Sequence, residues 1–145
     1  MLVKHILGTK GREIVAIAIE ASLADAASLL ARRRIGAVIV RDGKGRLSGI
    51  LSERDVVRAV AEHGVGALAQ QVNAYMTREV ATCGEADSID VLMEMMTRGR
   101  FRHVPVVDER DGLIGIVSIG DVVKSRIEET EREAATLKEY ISAAG

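Results

Sequence analysis

The stretch "GILSERDVV" at residues 49–57 returns as "GIVSIGDVV" at residues 115–123, with the Gly, Ser, Asp and Val-Val positions kept. An offset of 66 residues places Ser52 on Ser118, Asp55 on Asp121 and Gly49 on Gly115 without a gap. Extended backwards, it pairs Val40 with Val106, Val38 with Val104, Arg34 with Arg100 and Ser22 with Ser88. Self-similarity at a fixed period marks one supersecondary unit written twice.

Each copy carries the same order of local signals. "EIVAIAIEAS" is β-branched and reads as a strand. Ser22 then stands three residues before Asp25, and "LADAASLLARRR" has helical spacing. "IGAVIV", the turn "RDGKG" and "RLSGIL" form a hairpin, and "SERDVVRAVAEHG" opens on a capping Ser and closes on Gly. The second copy repeats this as "REVATCG", "SIDVLMEMMTRG", "FRHVPVV", "DERDG", "LIGIV" and "SIGDVVKSRIEE". Each unit is therefore expected to be β-α-β-β-α. The fold class is α/β (α+β): two pseudo-symmetric repeats packed sheet to sheet with helices outside, followed by a C-terminal helix. The expected divisions are residues 1–72, a first repeat with an N-terminal segment; 73–126, a second repeat; and 127–145, a helical extension. Along the extension Ile127, Thr130, Ala134, Leu137 and Ile141 step by three and four. Packing of this stripe on its own domain is expected ahead of a coiled coil, because Thr and Ala make a thin seam.

Composition narrows the function. At 48% hydrophobic and 28% charged residues the 145-residue chain can bury a core. Twenty basic against 21 acidic residues create no global field for nucleic acid, and three aromatics offer no stacking platform, so nucleic-acid binding is disfavoured. The apolar runs are too short to span a bilayer, no signal peptide opens the chain, and a cytoplasmic protein without membrane association is expected. The single cysteine, Cys83, cannot form an internal disulfide, and three scattered histidines do not have metal-ligand spacing. Cys83 reads as a small core residue. No nucleophile, base and oxyanion site assemble, so no catalytic residue, metal or catalytic cofactor is expected and the chain is read as not an enzyme.

What remains is binding. Ser52 and Ser118 each end an apolar strand and start a helix, where unpaired backbone N–H groups favour an anion. Asp55 and Asp121, three residues on, turn carboxylates to the same mouth and can accept hydrogen bonds from vicinal hydroxyls. The simpler reading is that Ser caps the helix and Asp complements its dipole; duplication in register weighs against it. Arg32, Arg33, Arg34, Arg98, Arg100 and Arg102 gather where helices end and strands begin. The helix dipole accounts for Arg32 and Arg98. Arg100 and Arg102 flank Phe101 and, in an extended strand, share a face suited to phosphate; Arg54 could join the first mouth. His103 lies two residues before Pro105, the only proline, in a strand whose edge would leave backbone groups for a ligand.

The chain resembles a tandem pair of cystathionine-β-synthase (CBS) domains, the arrangement called a Bateman module. The resemblance rests on "IGAVIVRDGKGRLSGILSERDVV", on "RHVPVVDERDGLIGIVSIGDVV" and on the Met-Thr junction in "YMTREVAT", and covers nearly the whole chain. It implies a stand-alone, bacterial-type regulatory module that binds an adenosine-containing ligand such as AMP, ADP, ATP, NAD(H) or S-adenosylmethionine in clefts between repeats, with an energy-sensing role. By resemblance Asp55 and Asp121 take the ribose and Ser52 and Ser118 the phosphates. Gly36, Ala37 and Val38, with His103, Val104 and Pro105, hold the adenine, and Thr82 adds a polar contact where Ala16 cannot. Because the first copy has Ile39 in place of the proline, the second is expected to be the better site. The resemblance further implies a homodimer and an unknown effector protein. The alternative, of a different class, is an interaction scaffold that uses the dimer surface and C-terminal helix with little or no nucleotide binding.

Overall fold

The computed structural model describes residues 1–144. The protein is mixed α/β, in the order α1 (Val3–Lys10), β1 (Ala16–Ala18), α2 (Leu23–Arg33), β2 (Ala37–Arg41), β3 (Leu47–Ser52), α3 (Glu53–His63), α4 (Ile89–Gly99), β4 (His103–Val107), β5 (Leu113–Ser118) and α5 (Ile119–Ala144). It divides into two compact units: Glu13–Val80, and Met1–Arg12 joined with the chain from Ala81 onward.

In the Glu13–Val80 unit, β1 runs parallel to β2 and β2 antiparallel to β3, with Ala16 opposite Ile39 and Ala37 opposite Ser52. The Ser22 hydroxyl accepts the Asp25 N–H at 3.1 Å and starts α2, whose Leu23, Ala26 and Leu30 pack with Val38, Val40 and Leu51 in the core. That face follows from period-2 alternation in the strands against helical spacing in α2. Two 3-10 turns, Val65–Ala69 and Val72–Ala74, then lead the chain back to β3. There the Ile50 N–H donates to the Thr77 carbonyl at 3.0 Å and the Thr77 N–H to the Ile50 carbonyl at 2.9 Å. The glycine of the repeated phrase is needed for this approach, since a Cβ at Gly49 would lie 2.5 Å from the Thr77 carbonyl oxygen.

The other unit is built around the β4–β5 hairpin, with His103 opposite Ser118. Its first strand, expected over "REVATCG", is reduced to a single bridge at Cys83, which donates to the Pro105 carbonyl at 3.0 Å and accepts from the Val107 N–H at 2.8 Å. Past it the chain turns away: the Asp87 N–H donates to the Gly84 carbonyl at 3.2 Å, closing a β-turn, and the Gly84 N–H donates to the Asp87 carboxylate at 2.8 Å. The N-terminal segment, grouped above with the first repeat, instead packs in this unit. Val3, Ile6 and Leu7 are buried with Leu92, Val104, Val106 and Val117. Gly115 is the seat of Leu7, whose side chain would stand 2.8 Å from a Cβ there. The same glycine of the phrase thus admits a different covering segment in each unit.

The strand alternation expected to bring Arg100 and Arg102 to one face is absent. α4 runs to Gly99, Arg100 ends it in the left-handed conformation at φ 55°, and β4 begins only at His103. Arg34 ends α2 the same way at φ 53°, 66 residues earlier. The extension from residue 127 is continuous with the last helix of the repeat, a single α5 of 26 residues. Val122 and Ser125 are buried, whereas residues 130–144 are exposed throughout, so the expected packing of the tail on its own domain does not occur.

Candidate functional site

Both units build the same mouth at the junction of strand and helix. In the Glu13–Val80 unit the Ser52 hydroxyl accepts the Asp55 N–H at 3.2 Å, while Asp55 Oδ2 accepts the Ser52 N–H at 2.9 Å and the Ser52 hydroxyl lies 3.1 Å from it. This reciprocal box satisfies two helix N-terminal donors and fixes the carboxylate at the mouth. The Gly36 carbonyl closes the floor by accepting the Glu53 N–H at 2.9 Å. Arg58 Nη1 is 3.9 Å from Asp55 Oδ1, one helical turn on, and Arg54 is exposed on the same first turn.

The other unit repeats three of these bonds. The Ser118 hydroxyl accepts the Asp121 N–H at 3.2 Å, Asp121 Oδ2 accepts the Ser118 N–H at 2.8 Å, and the Arg102 carbonyl accepts the Ile119 N–H at 2.8 Å. One group is added. Lys10, at the end of α1, donates from Nζ to Asp121 Oδ2 at 2.6 Å and to the Ile116 carbonyl at 3.0 Å. Burial pushes the Asp121 carboxyl up, but the hydrogen bond from Lys10, that from the Ser118 N–H and the Lys10 charge outweigh it, leaving the group below its ordinary value. Asp121 is therefore ionised at neutral pH. A cavity of about 710 Å³ adjoins it, whose walls carry Lys4, Lys10, Lys124 and Arg132 together with Glu128 and Glu129. A second concavity, lined by Arg102, Ile119 and Val123, lies along the first turns of α5.

The remaining expected residues divide by burial. Val38 and Val104 are fully buried and belong to the two cores. Pro105 is also buried, and its carbonyl is already engaged by Cys83. Gly36 and Ala37, like His103, stand at the strand end facing the Ser, and His103 is half-buried. Arg102 is exposed at the second mouth, Arg100 is exposed at the end of α4, and Thr82 is exposed beside the Cys83 bridge. Lys10 is the residue sequence reasoning missed: it lies 111 positions from Asp121 and no local pattern marks it.

Burial pushes the Cys83 thiol up to about 12, with the Asp87 charge adding to the effect. It is protonated at neutral pH, which removes the thiolate a nucleophile requires. Among the described residues no cluster of His, Cys, Asp and Glu could hold a metal ion, and no helix is long and apolar enough to cross a membrane.

A family model described as CBS domain matches residues 3–62 and again 72–128. The chain belongs to the CBS-domain family. It is a tandem pair of such domains, a Bateman module. A CBS-domain containing protein from Agrobacterium tumefaciens is similar at 49% identity and a TM-score of 0.83, covering 86% of this chain and 92% of that one. Among curated relatives, a mitochondrial CBS domain-containing protein of Arabidopsis thaliana is 36% identical over 121 residues. The match takes in 81% of this chain and 58% of that relative, so the chain spans little more than half its length. Two further neighbours, each 28% identical, were solved with ligands. A CBS domain protein from Pyrobaculum aerophilum is complexed with AMP, at a TM-score of 0.75 and with 83% of this chain and 89% of that one covered. A second CBS domain pair is complexed with 5′-methylthioadenosine and S-adenosyl-L-methionine, at a TM-score of 0.77 and with 90% and 98% covered.

Proposed function

We propose that this CBS pair is a regulatory module that binds an adenosine-containing ligand at its Ser-Asp mouths and passes the bound state to a partner protein. The observation that carries the reading is the duplicated box: Ser52 with Asp55 and Ser118 with Asp121, each presenting a fixed carboxylate beside the N–H groups of a helix start. A ribose diol donates to a carboxylate, and phosphate oxygens accept from N–H, Ser hydroxyl and cations, so one nucleotide satisfies both halves of such a mouth.

The mouth of α5 is the stronger candidate. Asp121 Oδ2 is occupied by Lys10 and Ser118, which leaves Oδ1 for a hydroxyl, and the Lys10 ammonium supplies a cation for a phosphate beside it. His103 and Arg102 border the same opening. The Lys10 and Arg102 charges favour AMP, ADP, ATP or NAD(H) over S-adenosylmethionine, whose sulfonium is itself positive. The ligand-bearing relatives support the adenosine class, and the box does not choose within it. In this reading the protein makes and breaks no covalent bond. A ligand shifts a partner-facing equilibrium only by its differential affinity for the two states.

The test is a thermal-shift panel of the purified chain with AMP, ADP, ATP, NAD, NADH and S-adenosylmethionine. A ligand at a hundred times its dissociation constant adds about 2.7 kcal/mol, a shift of several degrees at this size. A phosphate-bearing ligand is expected to give the largest shift. A panel with no shift removes the reading and leaves the scaffold alternative, in which the exposed α5 carries the function.

A further inference from the structure

The Ser118–Asp121 box takes up only the first turn of α5. Its exposed apolar residues include Val123, Ile127, Leu137 and Ile141, at 47%, 53%, 60% and 61% exposure. With Thr130 and Ala134 they are spaced four, three, four, three and four, the a/d pattern of a two-stranded coil. Ile127, Ala134 and Ile141 fall at a and Val123, Thr130 and Leu137 at d. Ile127 and Ile141 at a with Leu137 at d suit a two-stranded coil.

The flanking charges select the partner and its direction. In this register Arg126 and Glu133 are g residues, and Lys124, Glu131 and Lys138 are e residues. A parallel second copy sets each g against the e residue five positions on, giving Arg126 with Glu131 and Glu133 with Lys138, opposite charges in both cases. An antiparallel copy along the full seam sets Lys124 against Lys138, and Glu131 and Glu133 each against its own counterpart, all like charges. Glu131, Glu133 and Lys138 form no ion pair within the chain among the described residues, while Arg126 is already 3.1 Å from Asp90. The Glu133–Lys138 pair is thus the one a second copy satisfies without competition.

We infer that α5 from Val123 onward is a self-association surface, on which the same helix of a second copy lies parallel and in register. The symmetry is two-fold, so each charge pair occurs twice. Thr130 and Ala134 keep the contact weak and dissociable.

Sedimentation equilibrium of the full chain tests this. Leu137→Glu with Ile141→Glu should raise the dimer dissociation constant at least tenfold. Glu133→Lys should raise it measurably, and the double exchange Glu133→Lys with Lys138→Glu should restore it, which a general loss of structure would not do. Under mild oxidation Leu137→Cys should cross-link to its own copy, with buried Cys83 not competing. Cross-linking of Ile127→Cys to Leu137→Cys in a mixture, in place of Leu137→Cys to itself, overturns the parallel arrangement. Absence of any cross-link, or a dimer indifferent to all these changes, overturns the proposal as a whole.

Discussion

The two mouths share the three backbone bonds of the box and differ in who stands over them. Around Ser52 and Asp55 the covering chain comes from within the same stretch of sequence, through Thr77 backbone pairing with Ile50. Around Ser118 and Asp121 it comes from the far N-terminus: Leu7 rests on Gly115 and Lys10 grips the carboxylate. One cover is backbone and electrically neutral, and the other is a side chain carrying charge. Duplication thus preserved the box and left its surroundings free to diverge, which is how two equal frameworks can present unequal sites.

The largest expected effect separates the two glycines. At Gly49 an added methyl meets a backbone carbonyl oxygen at 2.5 Å, which cannot move without breaking the Ile50–Thr77 pair. Gly49→Ala should cost about 1–3 kcal/mol, the usual range for overpacking. At Gly115 the neighbour is the end of a leucine side chain, which can rotate. Gly115→Ala should cost less, and denaturant unfolding of both variants would read the difference. Equal losses would mean that the two covers are equally rigid.

A smaller effect should follow from Lys10→Met. The pair it breaks is part-exposed, so the loss of stability should be about 1 kcal/mol or less. Its sign with pH is definite. Asp121 has a folded-state value below its unfolded one, so its contribution is present above the unfolded carboxyl value of about 3.9 and is lost as pH falls through the folded value. Acid unfolding of the Lys10→Met variant should therefore depend less steeply on pH below about 4 than that of the wild type. In binding, Lys10→Met should weaken AMP more than adenosine, since only AMP carries the phosphate. Tighter adenosine binding in the variant would recast Lys10 as a competitor for the ribose.

The repeat made the boxes legible, because Ser and Asp three apart at a helix start act through local bonds that spacing alone specifies. Four features were not legible, each because a non-local or competing local interaction decides them. Strand propensity in "REVATCG" is overruled by the β-turn from Gly84 to Asp87. The alternation of Arg100 and Arg102 is overruled because α4 needs a left-handed residue to end and Arg100 takes that role. Val38 and Val104 lie in the matching stretch yet are buried in the cores, because tertiary packing covers the whole runs at residues 37–40 and 104–106. The placement of α1 depends on Leu7 meeting Gly115, a contact across more than a hundred residues that no window of sequence contains.

The central claim is that these carboxylates bind a ligand's ribose and do more than cap helices. Calorimetric titration of wild type, Asp55→Ala and Asp121→Ala with the ligand that gives the largest thermal shift tests it most directly. The expected result is at least a tenfold loss of affinity in Asp121→Ala, about 1.4 kcal/mol, with the tighter event retained in Asp55→Ala. Wild-type affinity in Asp121→Ala would contradict the account and return the box to a purely structural role.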